Sequence, residues 1–276
     1  MDELRVASRA MSVGIITGSG TYALPGFETP EALTVETPFG RAALTRGRYA
    51  GVEALHVSRH GEGHIRLSNQ VTHRANIWAL KELGARAVIG CTACGAVDPS
   101  LVLGELVVFD DLHFISNRLP DGSICTFFDE PGDPLRGHWI LHGGPYSLGI
   151  RAALLEAALQ SGRPARDGGA YGHVDGPRFN TPAEIAQLAG CGVVAVSQTG
   201  GPETVLCGEL ELPYALIGYA TDYANEVKPG EPTPAATMIE LMGRSTGVFG
   251  DVLERALPAL ELTPPSAAGT MYRFEQ

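Results

Sequence analysis

The chain has 276 residues, 44 % of them apolar, with 35 glycines and 19 prolines, a balance that indicates a turn-rich globular protein and excludes low-complexity disorder. Its 31 acidic and 20 basic side chains leave a formal charge of −11, which disfavours a nucleic-acid surface or attraction to anionic membranes while permitting a local positive pocket. No apolar run approaches the roughly 20 residues that span a bilayer, and Met1-Asp2-Glu3-Leu4-Arg5 lacks the apolar core of a leader, so a cytoplasmic protein is expected, with no membrane or nucleic-acid partner.

Residues 1–11 read as a tail. Val13-Gly14-Ile15-Ile16 is an apolar strand that runs into Thr17-Gly18-Ser19-Gly20-Thr21, a turn of glycines and hydroxyls. Such a turn either cradles an anion on its free backbone N–H groups or simply closes a first core strand; it is neither a dinucleotide fingerprint nor a Walker loop. Residues 42–49 and 53–58, separated by Gly51, read as a hairpin that delivers Arg59-His60-Gly61-Glu62-Gly63-His64 at its exit.

Ser68 or Asn69 can cap a helix with Val71, Ala75, Trp78, Ala79 and Leu83 at helical spacing. Two apolar strands follow, over 87–92 and 106–109, the first closed by Ala93-Cys94-Gly95. Residues 116–145 are irregular, and an excursion of that length within one domain is expected to be functional or interfacial. Ser147 opens a helix ending at Gly162; a short strand and turn cover 170–180, and Thr181-Pro182-Ala183-Glu184 has the form of a capping box. A strand over 193–197 leads to Gln198-Thr199-Gly200-Gly201-Pro202-Glu203, then a short helix near 203–211, a strand over 214–220 delivering Thr221-Asp222-Tyr223, and a final helical region near 233–260 that Gly243 or Gly247 can break. Helices alternating with apolar strands predict a single α/β domain over 12–262, a mixed central sheet flanked by helices, with 263–276 as a second tail. Of the five cysteines only Cys91 and Cys94 are close; without a second pair they are expected to be buried small side chains, and no metal site is expected.

Polar clusters recur at strand exits: Ser19, Arg59-His60, Thr92-Ala93, Ser197-Gln198-Thr199 and Thr221-Asp222. An arginine fork, a histidine, hydroxyls and backbone N–H groups suit inorganic phosphate. Asp222 can accept from an amine or donate once protonated, and Phe179 can stack on a planar ring. Each also has a plain structural alternative; the clustering is what favours a site.

Taken in order, Ile15 to Gly20, Arg59-His60-Gly61, Arg74 to Gly84, Thr92-Ala93-Cys94-Gly95, Thr126-Phe127-Phe128-Asp129, Asp175-Gly176-Pro177-Arg178-Phe179, Thr199 to Glu203 and Ala220-Thr221-Asp222-Tyr223 resemble the trimeric class of purine nucleoside phosphorylases, most closely the branch acting on 5′-methylthioadenosine. The resemblance implies a homotrimeric pentosyltransferase of purine salvage that cleaves the N-glycosidic bond of a purine nucleoside with inorganic phosphate as co-substrate and no cofactor. By that likeness Ser19, Arg59, His60, Thr92, Ala93 and Thr199 form the phosphate site, Phe179 lines the base pocket, and Asp222 is the catalytic group facing the purine. The sugar's 5′ end is expected to meet His138 or His142 from a neighbouring subunit.

Three departures touch the nucleoside: Gln198 replaces a methionine under the ribose with an amide able to bond hydroxyls, Ala224 replaces a second aspartate at the purine edge, and His73 stands for a tyrosine. The leading expectation is phosphorolysis of 5′-methylthioadenosine or a similar 5′-modified adenine nucleoside. The alternatives are a phosphorylase of different base or sugar preference and a catalytically weak nucleoside-binding homologue.

Overall fold

The computed structural model describes residues 11–274. Apart from Met11, which is buried in the core, the expected N-terminal tail lies outside the described residues. In chain order the elements are β1 (Ser12–Thr17), β2 (Glu28–Thr37), β3 (Gly40–Tyr49), β4 (Val52–Ser58), α1 (His73–Glu82), β5 (Ala85–Ala96), β6 (Leu106–Val108), β7 (Asp111–His113), β8 (Gly137–Ile140), α2 (Leu148–Gln160), β9 (Arg166–Asp167), β10 (Ala170–His173), α3 (Pro182–Gly190), β11 (Val193–Ser197), α4 (Gly200–Glu209), β12 (Tyr214–Tyr223), α5 (Ala235–Leu262) and β13 (Thr270–Arg273).

The main sheet runs β2-β3-β4-β1-β5-β11-β10-β7, with β12 also paired to β5 and leading through β6 to β9. It is mixed, as expected: β1 lies parallel to β4 and β5, and β12 parallel to β5, whereas β11 meets β5 antiparallel. β5 and β12 are almost wholly buried, which is why they read as continuous apolar runs and not as alternating ones. Helices cover them in two groups, α1 packed with α4 and α2 packed with α5. A smaller apolar cluster joins α3 to β11 through Val97, Val174, Ile185, Leu188, Val193, Val196 and Ala224.

Several boundaries differ from the sequence expectation. β2 went unread because its side chains are mostly exposed and Pro30 interrupts its apolar pattern. β5 does not stop at Thr92 but continues to Ala96, because its far end gains β11 as a partner. Ser68 does not cap α1; it sits in a separate 3-10 turn, and Thr72 precedes the helix. α4 begins at Gly200, with Thr199 as its N-cap residue. α5 passes through Gly243 and Gly247 unbroken. Residues 270–273, expected within a tail, form β13 and pair antiparallel with β8 from the irregular segment. The capping box at Thr181 and Glu184 forms as read.

Candidate active site

β1 and β4 end level with each other, Thr17 opposite Ser58, while β5 and β12 run on past them. The step leaves a crevice at the carboxyl ends of the strands, where α/β proteins place ligands. A cavity of about 290 Å³ fills it, lined by Ser19, His60, Thr92, Ala93, Thr199, Gln198, Asp222 and Phe179 among others. Eight of the residues singled out from sequence thus meet in one chain around one space.

One end is made of hydroxyls and an imidazole. Gly20 adopts φ +86°, and any side chain there would begin 2.2 Å from the Met242 carbonyl, so only glycine lets the turn after β1 dock on α5. Thr246 secures the turn by donating its hydroxyl to the Gly20 carbonyl (2.8 Å). Thr92 and Ser197 hydroxyls lie 2.8 Å apart across β5 and β11. His60 Nδ1 is 2.9 Å from the Arg66 carbonyl; a carbonyl only accepts, so Nδ1 carries the proton and Nε2 is left as an acceptor. Burial pushes the His60 pKa down to about 4, against the opposing Arg66 hydrogen bond and with help from neighbouring His64 and Arg59, so the ring is neutral at neutral pH. His64 stacks on it at 4.2 Å and is held by the Tyr22 hydroxyl (3.0 Å).

Arg59, expected as a direct phosphate ligand, stands behind this wall. It is 1 % exposed, and a side chain added at Gly18 would begin 3.0 Å from its Nη1. Its Nε and Nη2 donate to the two oxygens of Glu203 (2.5 and 2.7 Å), and Nη1 donates to the Cys91 carbonyl (2.5 Å). Burial opposes the charge, but the Glu203 carboxylate outweighs it and raises the guanidinium pKa. Three of the five N–H groups of an arginine are used, and each terminal nitrogen keeps one. Glu203 also accepts from the Tyr214 hydroxyl (2.9 Å). Sequence reading quoted Glu203 only as part of a motif; its depth in an apolar helix start was the signal that such a carboxylate must be paired.

The other end holds a carboxyl. The β12–β5 register slips between Ala220 and Asp222, and this bulge turns Asp222 into the cavity. Gly95 makes room, since a side chain there would begin 3.1 Å from Asp222 Oδ2. Thr221 donates its hydroxyl to Asp222 Oδ1 (2.8 Å). Burial raises the Asp222 pKa, only partly countered by that bond, so the group is biased toward carrying a proton. Ala224 belongs to the small apolar cluster beside α3 and also lines the cavity, so its side of the wall is apolar where an aspartate was expected.

At the mouth, Phe179 is 63 % exposed on the turn between β10 and α3. Arg178 holds that turn to Glu184 (2.9 and 2.7 Å), and Asn225 donates to the Asn180 carbonyl (2.5 Å). Gln198 does not offer its whole amide to a sugar: Oε1 accepts from Ser68 (2.7 Å) and Nε2 donates to the Arg178 carbonyl (3.0 Å). Ser68, His64, Asn180, Asn225, Met238 and Met242 also line the cavity and were not read as site residues. They come from turns and from α5, whose approach no local pattern announces.

His138 and His142 are not brought to this cavity within the chain. His138, on β8, packs on Phe274 and lines a separate cavity near Trp139, and His142 lines another beside α2. Among the described residues no group of three or more His, Cys, Asp or Glu side chains could hold a metal ion, and no helix is long and apolar enough to cross a membrane. Cys91, Cys94, Cys125 and Cys207 are buried free thiols; Cys191 is exposed.

Comparison with known proteins agrees with this geometry. The Phosphorylase superfamily profile matches residues 12–258. A Dictyoglomus turgidum protein named probable 6-oxopurine nucleoside phosphorylase is 36 % identical over 251 residues, covering 91 % of this chain and 92 % of that one. An S-methyl-5′-thioadenosine phosphorylase of Pyrobaculum aerophilum is 33 % identical over 265 residues, covering 94 % and 91 %. The structure of methylthioadenosine phosphorylase from Schistosoma mansoni in complex with adenine superposes with a TM-score of 0.80 at 28 % identity, over 90 % of this chain and 91 % of that one. With the profile spanning nearly the whole domain and the fold shared, the chain belongs to the phosphorylase superfamily as an enzyme of the nucleoside phosphorylase type.

Proposed function

We propose that the chain catalyses phosphorolysis of 5′-methylthioadenosine or a similar 5′-modified adenine nucleoside, giving adenine and a 5-modified ribose 1-phosphate. The carrying observation is one cavity with hydroxyls and a neutral histidine at one end and, at the other, a half-buried carboxyl whose pKa burial raises. Inorganic phosphate lies among Ser19, His60, Thr92, Ala93 and Thr199, with the Arg59 guanidinium, neutralised by Glu203, forming the backing behind Gly18. A protonated phosphate oxygen donates a hydrogen bond to Nε2 of the neutral His60.

As the C1′–N9 bond breaks, its electron pair goes to the purine and the ribose becomes oxocarbenium-like. Phosphate beneath C1′ stabilises that cation and then forms the new C1′–O bond. Asp222 bonds or protonates the leaving purine, a role that a raised pKa serves. The enzyme works as a cytoplasmic homotrimer in purine salvage, in which His138 or His142 of a neighbouring copy meets the 5′ group.

The second reading, a preference for 6-oxopurines, is favoured by the name of the Dictyoglomus relative. Chromatography of products from 5′-methylthioadenosine, adenosine, inosine and 5′-halogenated analogues, with and without phosphate, separates the two. Phosphate-dependent adenine release from a 5′-modified substrate is expected. Hypoxanthine release alone would select the second reading, and binding without turnover of any substrate would make the chain a weak homologue. Light scattering at three times the chain mass is expected for the trimer.

A further inference from the structure

Gln198 is the residue that most separates this cavity from what the family likeness implies, and its amide is engaged on both sides. Its orientation follows from its partners: the Arg178 carbonyl can only accept, so Nε2 must face it, which leaves Oε1 to take the Ser68 hydroxyl proton. The two partners belong to different walls of the cavity, Ser68 to the β4–α1 connection and Arg178 to the turn that carries Phe179. Gly176 is needed for this bridge, since a side chain there would begin 2.1 Å from Gln198 Oε1 and 2.2 Å from the Ser68 hydroxyl. A methionine at 198 has no N–H for the carbonyl and only a weak acceptor for the hydroxyl.

The other ties on the Phe179 turn hold it from its own side. Glu184 grips Arg178 from α3, and Asn225 grips Asn180 from the end of β12. Among the described residues, the Gln198 amide is the tie that joins this turn to the wall carrying His60 and Ser68. Ser68, Gln198, Thr199 and Phe179 all line the cavity, so the bridge forms part of its wall.

Resting on the reading of this cavity as a nucleoside phosphorylase site, we propose that Gln198 is a positioning residue that bridges Ser68 to the Arg178 backbone and so sets where Phe179 meets the nucleoside, independently of phosphate. Neither Ser68 nor Arg178 is among the residues proposed to hold phosphate, so the phosphate KM is expected to stay unchanged.

The test is steady-state kinetics of Gln198→Met, Ser68→Ala, the double variant and Gln198→Glu, with nucleoside and phosphate varied separately. Gln198→Met should raise the nucleoside KM about tenfold, the loss of one partly buried and one exposed hydrogen bond, with kcat changed less than about threefold and phosphate KM unchanged. Ser68→Ala should move the same constant in the same direction, and the double variant should be no worse than Gln198→Met, since both act on one bridge. Gln198→Glu keeps the length and the Ser68 bond but sets a carboxylate against a carbonyl, and should behave like Gln198→Met. Thermal midpoints within about 2 °C of wild type would separate these effects from misfolding. Independent, additive losses, an equal rise in phosphate KM, or a fully active Gln198→Glu would each overturn the bridge. If wild type releases no base from any nucleoside, the functional reading fails instead, and calorimetry with adenine still tests the bridge: equal adenine affinity in wild type and Gln198→Met would overturn it.

Discussion

The two ends of the cavity are built on different foundations. The phosphate end rests on the main core, where β1, β4, β5 and α4 converge on a fully buried Arg59–Glu203 pair. The nucleoside end shares that core only through Asp222 on β12; its Phe179 side rests on the small cluster of α3 and β11 and on a surface turn held by one exposed ion pair and backbone bonds. A buried charge pair tolerates little change, because losing one partner strands the other away from water, whereas exposed pairs contribute little. The contrast predicts an invariant end for the common substrate and an adjustable end for the variable one.

The largest effect expected from that contrast is at Glu203. Glu203→Ala should cost about 3–5 kcal/mol in urea unfolding, the range for an orphaned buried ion, whereas Arg178→Ala, which breaks the exposed pair with Glu184, should leave the unfolding midpoint nearly unmoved. Similar losses from the two variants would erase the distinction between the ends.

Chemistry gives the next effect. Asp222→Asn should lower kcat for 5′-methylthioadenosine by about 10²-fold, the lower range of general acid catalysis, and should reduce turnover of adenosine more than that of inosine. In wild type kcat should fall as pH rises through the Asp222 pKa, which burial raises above the ordinary carboxylate value, and that fall should be absent in this variant. Equal losses on both bases would remove the reason for assigning an adenine substrate.

A pH effect comes third and belongs to the buried end. Burial holds His56 and His60 down to about 4, and His73 and His173 to about 3, from the ordinary 6.5. Between those values the unfolded chain binds protons that the folded one does not, so stability should fall as pH drops from about 6.5 toward 4. Neither ring nitrogen of His73 has a hydrogen-bond partner, so His73→Phe strands no other polar group. It should reduce the proton uptake on unfolding near pH 5 by about one, measured from the pH dependence of thermal unfolding.

What could be read from the sequence follows the same division. Strands buried on both faces announce themselves as apolar runs, so β1, β5, β11 and β12 and the polar residues beside them were legible, as were the hydroxyls and His60. The roles of Arg59 and Glu203 were not, because which residue neutralises a buried guanidinium depends on α4 starting at Gly200 and lying beside β5 and β12, a tertiary fact. The bulge that aims Asp222 leaves no mark in Thr221 or Asp222 themselves; its trace is Gly95 on the neighbouring strand. Ala224 looked like a missing carboxylate in the linear order and becomes part of an apolar floor once α3 is in place. Ser68 resembled a helix cap because its spacing suits one, yet its hydroxyl is engaged by Gln198 across the cavity.

The smallest expected effect is at Phe179, and it probes the adjustable end most directly. The ring lines the cavity while 63 % exposed, so removing it opens little buried space and leaves no polar group unpaired. Phe179→Ala should therefore leave stability within about 0.5 kcal/mol of wild type, as for other surface changes. Its cost should fall on binding of the planar base, where one aromatic contact is worth about 0.5–1.5 kcal/mol, equivalent to a nucleoside KM about two- to tenfold higher. Phosphate KM should not move, because Phe179 shares no hydrogen bond with Ser19, His60 or Thr199. Phe179→Tyr, which keeps the ring, should recover the wild-type KM. If Phe179→Ala instead lowers stability or weakens phosphate binding, the turn is part of the rigid end and the cavity has one foundation in place of two.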